Sequence, residues 1–206
     1  MRSSVADQLR ARITSGALAP GAPLRQEQLA AELGVSRIPV RDALTLLHAE
    51  GLVDLRPTGS CVATLTEPQA AELFDLRVLL EVDALRRAVP NHTPRTLRRV
   101  AAVQAELELA DDTAEWATLD RAFHEALYGP SERPRTLDTI RVFRNVAERF
   151  ALAALSHDVR RDAWRDEHRG LLDAVGAGDV ARAADALTAH LRATEAVVRD
   201  AIRQLV

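Results

Sequence analysis

The sequence predicts a mainly α-helical chain in two parts: three helices followed by a β-hairpin, then an antiparallel bundle of six helices. Three observations predict it. Apolar residues recur at helical spacing along nearly the whole length, and glycine and proline fall at a few punctuation points. Only the stretch around residues 52–64 has the β-prone texture of a hairpin.

In the first part, Val5, Leu9 and Ile13 place a helix over about 4–15, with Ser4 as its N-cap and Gly16 as its stop. GALAPGAP (16–23) is a turn, and a second helix covers about 26–33 with Leu29 and Leu33 inward. Gly34 makes a tight turn, and Ser36 opens a third helix reaching about Ala49 on the stripe Val40, Ala43, Leu44 and Leu47. Gly51 is placed to be its C′ residue. The segments 52–55 and 61–64, separated by Arg56-Pro57-Thr58-Gly59-Ser60, then read as two strands and their loop. This order is that of a winged helix-turn-helix. Thr66-Glu67-Pro68 is the break that divides residues 1–66 from 67–206.

The second part reads as helices over about 68–89, 94–110, 113–128, 134–156, 158–176 and 179–205, without strands. Turn and capping residues separate them, in PNHTP, ADD, GPSERP, SHD and GAGD. Each carries an apolar stripe, such as Leu73, Leu76, Leu80 and Ala84. Short connections between such helices predict an antiparallel bundle.

Composition bounds what the chain can do. Its 206 residues, 47% of them hydrophobic, suffice for one sizeable core or two small ones. No apolar run approaches the ~20 residues of a membrane span, so no membrane partner is expected. The N-terminus has the pattern of an amphipathic helix and lacks the apolar region of a signal peptide. The single Cys61 fits a reducing, cytoplasmic setting and reads as a small buried hydrophobe. With a net charge of −3, any nucleic-acid binding must come from a local group of cations. All 27 basic residues are Arg, which a GC-rich coding bias explains and which carries no functional reading.

Such a local group lies on the third helix. Gly34 permits the bend between helices, and Ser36 caps the third one, leaving first-turn N–H groups free for a phosphate. Arg37 and Arg41, four residues apart, share one side beside the apolar stripe, where they can reach guanine edges or phosphates in a major groove. Two arginines alone are equally an exposed basic face on an ordinary three-helix domain. The hairpin directly after the helix, with Arg56 near its tip and Gly59 in its turn, favours DNA.

Residues 5–65 resemble the N-terminal domain of the GntR family of regulators. The resemblance lies in I-x-x-G-x-L-x-P-G-x-x-L (13–24), LAAELGVSRIPVRDAL (29–44), EGLV (50–53) and the wing glycine Gly59. It implies that Ser36, Arg37 and Arg41 contact DNA with the wing assisting, and that a homodimer binds a pseudo-palindromic operator. The family pattern has Thr where Ile38 stands and Glu where Asp42 stands, which touches operator preference and not the fold.

The bundle carries polar residues where apolar ones belong. Asp120 and His124 lie on or beside a helix face defined by Trp116, Phe123 and Leu127. His168 stands in line with Trp164, Leu171, Leu172 and Val175, and His190 with Ala183, Ala186, Leu187, Ala193 and Val197. Three imidazoles and a carboxylate thus point inward from three helices. Each buried group left without a hydrogen bond costs about 1–3 kcal/mol, a penalty a divalent cation removes. Any one of these histidines alone reads as a satisfied core residue, and Asp120–His124 as a simple hydrogen-bonded pair. His48, His92 and His157 fall off the pattern and read as surface residues.

Residues 68–206 are similar to the FCD ligand-binding domain of the FadR subfamily. The similarity is carried by LRVLLE (76–81), LDRAFHEAL with Asp120 and His124, EHRGLLDAV with His168, and the final helix with His190. Six helices point to the shorter, VanR-like branch. The resemblance implies that Asp120, His124, His168 and His190 ligate a metal, zinc first with nickel or manganese as alternatives, and that a small carboxylate effector binds beside it. Arg77 is the candidate for the effector's carboxylate; the alternative is a surface ion pair with Glu81.

The expected protein is therefore not an enzyme but a DNA-binding transcription regulator whose operator affinity answers to a small effector. Two other readings stand beside it: a metal-dependent hydrolase, since three His and a carboxylate can activate water, and an architectural DNA-binding dimer that senses nothing.

Overall fold

The computed structural model describes residues 4–154 and 158–204. Helix α1 (Val5–Thr14) opens on Ser4, whose hydroxyl accepts from the Asp7 amide while the Asp7 carboxylate accepts from the Ser4 amide, a reciprocal capping box. Helix α2 (Gln26–Leu33) ends on Gly34 at φ +65°, a left-handed conformation that glycine adopts without strain. Helix α3 (Arg37–Ala49) follows after two residues. Its N-cap position belongs to Ser36, as predicted, but the hydroxyl makes no capping bond.

The hairpin is tighter than the sequence predicts. Strands β1 (Val53–Arg56) and β2 (Gly59–Val62) are joined by Pro57-Thr58 alone, and Arg56 pairs with Gly59. Gly59 at φ +128° lets the second strand begin directly after the proline turn, so the five-residue loop expected here is shortened from both sides. Pro23 bridges to Cys61, fastening the 16–23 turn to the hairpin. Leu9, Ile13, Leu24, Val40, Leu44, Leu47, Leu52 and Val62 form one buried cluster beneath these elements.

The bundle comprises α4 (Glu67–Ala88), α5 (Pro94–Leu109), α6 (Thr113–Tyr128), α7 (Pro134–Ala154), α8 (Asp158–Gly176) and α9 (Val180–Gln204). Short 3₁₀ turns at 89–91 and 129–131 lead into the loops after α4 and α6. Threonine and aspartate caps at Thr66, Thr93 and Asp112 start α4, α5 and α6. Helix α9 packs against α4, α7 and α8, and a second buried cluster lies among the six helices. No described helix is long and apolar enough to cross a membrane.

Two expectations about exposure are corrected. Leu76, placed on the inward stripe of α4, is 39% exposed, and Arg77 is buried in its stead. His92, read as a surface residue, is half-buried: its Nδ1 lies 3.1 Å from Thr96 Oγ1 and its Nε2 3.1 Å from the Leu127 carbonyl oxygen. His48 is exposed, and His157 lies outside the described residues.

The two parts touch at α7. Gly51, at φ +74°, sits so close to α7 that a β-carbon there would lie 2.6 Å from Val146 Cγ2 and 3.7 Å from Val142 Cγ1. Beside it, Arg10 of α1 donates to both carboxylate oxygens of Glu50, at 2.8 and 2.7 Å. Gly51→Ala is expected to destabilise the protein by about 1–3 kcal/mol, combining left-handed strain with overpacking. A shifted denaturant midpoint at unchanged slope would show it; an unshifted midpoint would mean that α7 yields at no cost.

Candidate functional site

The recognition face comes first. Val40, Ala43, Leu44 and Leu47 bury one side of α3, which turns Ser36, Arg37 and Arg41 outward. The Arg37 and Arg41 side chains are each 65% exposed, Arg37 pairing with Glu27 at 2.8 Å and Arg41 standing 3.7 Å from Asp42. Arg56 on the wing is exposed and holds Asp54 at 3.2 Å, and Gly59 has nothing within 4 Å of where a side chain would start. Exposed ion pairs of this kind are worth about 0–1 kcal/mol. All five residues sit on an accessible surface.

The bundle interior holds the second site. His124 on α6, His168 on α8 and His190 on α9 are buried, and one nitrogen from each lies within 4.8 Å of the others. Phe123 stacks on the His168 ring at 4.5 Å and the Trp116 ring lies near-parallel to it at 6.4 Å, so packing fixes that imidazole's plane. Neither nitrogen of His168 has a hydrogen-bond partner, nor does His124 Nε2.

The other nitrogens show which face of each ring carries the lone pair. Tyr128 donates its hydroxyl hydrogen to Glu81 Oε2 at 2.8 Å. Its oxygen must then accept from His124 Nδ1, 3.0 Å away. The proton of His124 is thereby placed on Nδ1, leaving Nε2 bare. Likewise Glu167 Oε2 accepts from His190 Nδ1 at 2.7 Å, which commits that nitrogen and leaves Nε2 as the ring's other donor atom. Carboxylates and hydroxyls holding the far nitrogen in this manner are the usual supports of metal-ligating histidines. Burial, together with Arg144 and the neighbouring imidazoles, holds His124 well below the ordinary imidazole range; burial, His190 and Arg144 do the same for His168. Both rings are neutral at pH 7, the form that binds metal.

Asp120 is brought to the same place. Its Oδ1 stands 3.4 Å from His168 Nε2 and 3.7 Å from His124 Nε2. Tetrahedral ligands at about 2.0–2.1 Å from a metal are separated by about 3.3–3.4 Å, close to these spacings. Its Oδ2 accepts from Arg144 Nη2 at 2.6 Å, so one oxygen is committed to the ion pair and the other is turned to the imidazoles.

Arg77 does not form the surface pair offered as its alternative. It is 4% exposed, donates to Glu81 Oε1 at 2.7 Å within the bundle, and lies with its guanidinium carbon 4.7 Å over the Phe74 ring. Arg77, Asp120, Arg144, Trp116 and Thr194 border a space of about 40 Å³, enough for a carboxylate head group or a few waters. A larger cleft of about 760 Å³, bordered by His124 and Arg144, opens between α5, α6 and α7.

Sequence reasoning missed Arg144, Tyr128 and Glu167. Arg144 is the centre of the network: it is 8% exposed and donates to both Asp120 and Glu81. Its signal was available, since it falls between Ile140 and Ala147 on the buried stripe of α7.

A winged helix-turn-helix presenting arginines, followed by a helical bundle with a histidine-lined interior, defines a two-part bacterial transcription regulator. The chain belongs to the GntR family: residues 1–62 match the model of the bacterial regulatory proteins of the gntR family, and residues 72–193 match the FCD domain. It is 35% identical over 190 residues to an uncharacterised HTH-type transcriptional regulator in an unstable DNA locus of Streptomyces ambofaciens, covering 90% of this chain and 80% of that one. It is 33% identical over 199 residues to a probable D-xylose utilization operon transcriptional repressor of Paenarthrobacter nicotinovorans, covering 93% and 88%. Among solved structures it is similar to E. coli McbR/YncC, with a TM-score of 0.79, 26% identity and 95% coverage of each chain. These families and relatives are transcription regulators, not enzymes.

Proposed function

We propose that the protein is a metal-dependent, effector-responsive regulator that binds a pseudo-palindromic operator as a homodimer. The observation that carries the sensing half is His168: a fully buried imidazole with two unpartnered nitrogens, with one nitrogen each of His124 and His190 within 4.8 Å of it. Leaving such groups unsatisfied costs about 1–3 kcal/mol each, so the donor set fits a resident divalent cation, zinc above nickel or manganese. His124, His168, His190 and Asp120 would hold it, and when bound it supplies a positive charge that attracts an anionic oxygen. Arg77 and Arg144, lining the space beside Asp120, orient a small carboxylate there. The two arginines make small carboxylic acids the first compounds to try, and the named operon of the D-xylose relative adds D-xylose, for which the larger cleft of about 760 Å³ has the room.

On the DNA side, Ser36, Arg37 and Arg41 enter the major groove from α3, and Arg56 and Gly59 bring the wing to the backbone. Effector occupancy changes the fit of the two recognition helices to the operator by favouring one arrangement of the dimer. The setting is the cytoplasm, where the operator lies.

Metal analysis of the purified protein, followed by operator binding with and without a chelator and each acid, tests the whole reading. About one metal per chain and a change in operator affinity on chelation or effector addition are expected. A folded, metal-free protein whose operator affinity ignores both would leave an architectural DNA binder. Arg37→Ala and Arg41→Ala are each expected to weaken operator binding by about 1–3 kcal/mol, roughly 5- to 150-fold, with folding unchanged. Equal affinity of wild type and both variants in a gel-shift titration would remove α3 from the groove.

A further inference from the structure

Ile38 is 62% exposed on α3, between Arg37 and the apolar stripe's first member but on the opposite side of the helix. At about 100° per residue, the stripe Val40, Ala43, Leu44 and Leu47 is centred roughly 170° away from Ile38. Arg37 and Arg41 stand well to one side of that axis. If α3 lies in a groove with its stripe against the protein, its deepest first-turn side chain is therefore an isoleucine, with two guanidinium groups on one side of it and the Asp42 position on the other. This side chain neither donates nor accepts a hydrogen bond. A purine edge or a cytosine amine beneath it would lose water partners and gain none. The one apolar group on the major-groove edge of a base pair is the 5-methyl of thymine.

We infer that Ile38 is a specificity-determining residue that selects thymine in the operator by packing on its 5-methyl group. The inference rests on the DNA-binding reading above and deepens it. It assigns the attraction to methyl burial and the discrimination to the unpaired polar edges of the other bases. Arg37 and Arg41 supply the affinity around it, and their contributions do not depend on the methyl.

The test separates the inference from the reading on which it rests. The full-length protein is used to select operators from a randomised duplex library, and each thymine of the selected site is then replaced singly by deoxyuridine, which lacks only the methyl. Wild type is expected to lose about three- to tenfold in affinity at one thymine of each half-site. Ile38→Ala and Ile38→Ser, substitutions at an exposed position whose folding is checked by circular dichroism, are expected to bind thymine and deoxyuridine alike there. Insensitivity of wild type to every replacement, or an undiminished thymine preference in Ile38→Ala, would overturn the assignment while leaving DNA binding intact. Recovery of no sequence at all would instead overturn the DNA-binding reading, and the inference with it.

Discussion

Glu81→Ala is expected to cost about 3–5 kcal/mol of folding stability. The carboxylate is fully buried, and every one of its contacts is charged or hydrogen-bonded: Arg77 Nε at 2.7 Å, Tyr128 Oη at 2.8 Å and Arg144 Nη1 at 3.2 Å. Removing it strands the buried Arg77 guanidinium, leaves Arg144 with Asp120 as its one carboxylate among the described residues, and takes the acceptor from the tyrosine hydroxyl. A denaturant titration reads the loss directly; a cost under about 1 kcal/mol would mean that Asp120 alone satisfies the arginines. Burial by itself would raise the Glu81 pKa, but Arg77 and Arg144 outweigh it and hold the carboxyl below its ordinary value. The folded value is thus depressed. The resulting stability is present above the unfolded glutamate's pKa of about 4.3 and is lost as pH falls through the lower folded value. The gap between wild type and Glu81→Ala should accordingly narrow on acidification below about pH 4. Glu81→Gln keeps an acceptor for Tyr128 but not the charge, and should fall between the two.

His168→Ala is expected to lower affinity for a divalent cation by at least about 100-fold, more than the 10- to 100-fold typical of a supporting residue. His168 alone has both ring nitrogens free, and it stands nearest to Asp120 Oδ1, at 3.4 Å. Glu167→Ala removes the acceptor that fixes His190 while leaving all three imidazoles in place, and should cost the smaller amount. Competition with a chromogenic chelator measures both. Because a ligand held at 1,000 times its dissociation constant adds about 4.1 kcal/mol, the thermal midpoint should rise with metal in wild type and not in His168→Ala. Equal affinity of the two proteins would remove the histidines from metal binding.

How far these features could be read from the sequence depended on how local their causes were. The first three helices were readable to within a residue because each start and stop is written in neighbouring side chains: Ser4 with Asp7, Gly34 and Gly51. The inward histidines were readable because each interrupts an apolar stripe. The inward face of α4 was readable only in part: Leu73, Leu80 and Ala84 face the core as the stripe predicts, and Leu76 does not. LRVLLE offers leucines on more than one face, and partners distant in sequence, Arg144 and Phe123's helix with Tyr128, turn Arg77 and Glu81 inward and leave Leu76 out. The hairpin was found but its loop was drawn too long, since Pro57 fixes the turn more tightly than the β-prone pattern alone conveys. Tyr128 and Glu167 were invisible because their role is to orient a ring from behind, which leaves no mark on periodicity.

Helix α7 is a party wall. On one side Arg144 grips Asp120 and Glu81; two residues away on either side, Val142 and Val146 bear on Gly51, at the root of the wing. No slack separates these neighbours, because a helix turn does not stretch. The reading head is therefore mounted on the chamber itself and does not merely hang from the short strip of chain between them. Any rotation or sliding of that wall therefore reaches the wing's footing as well.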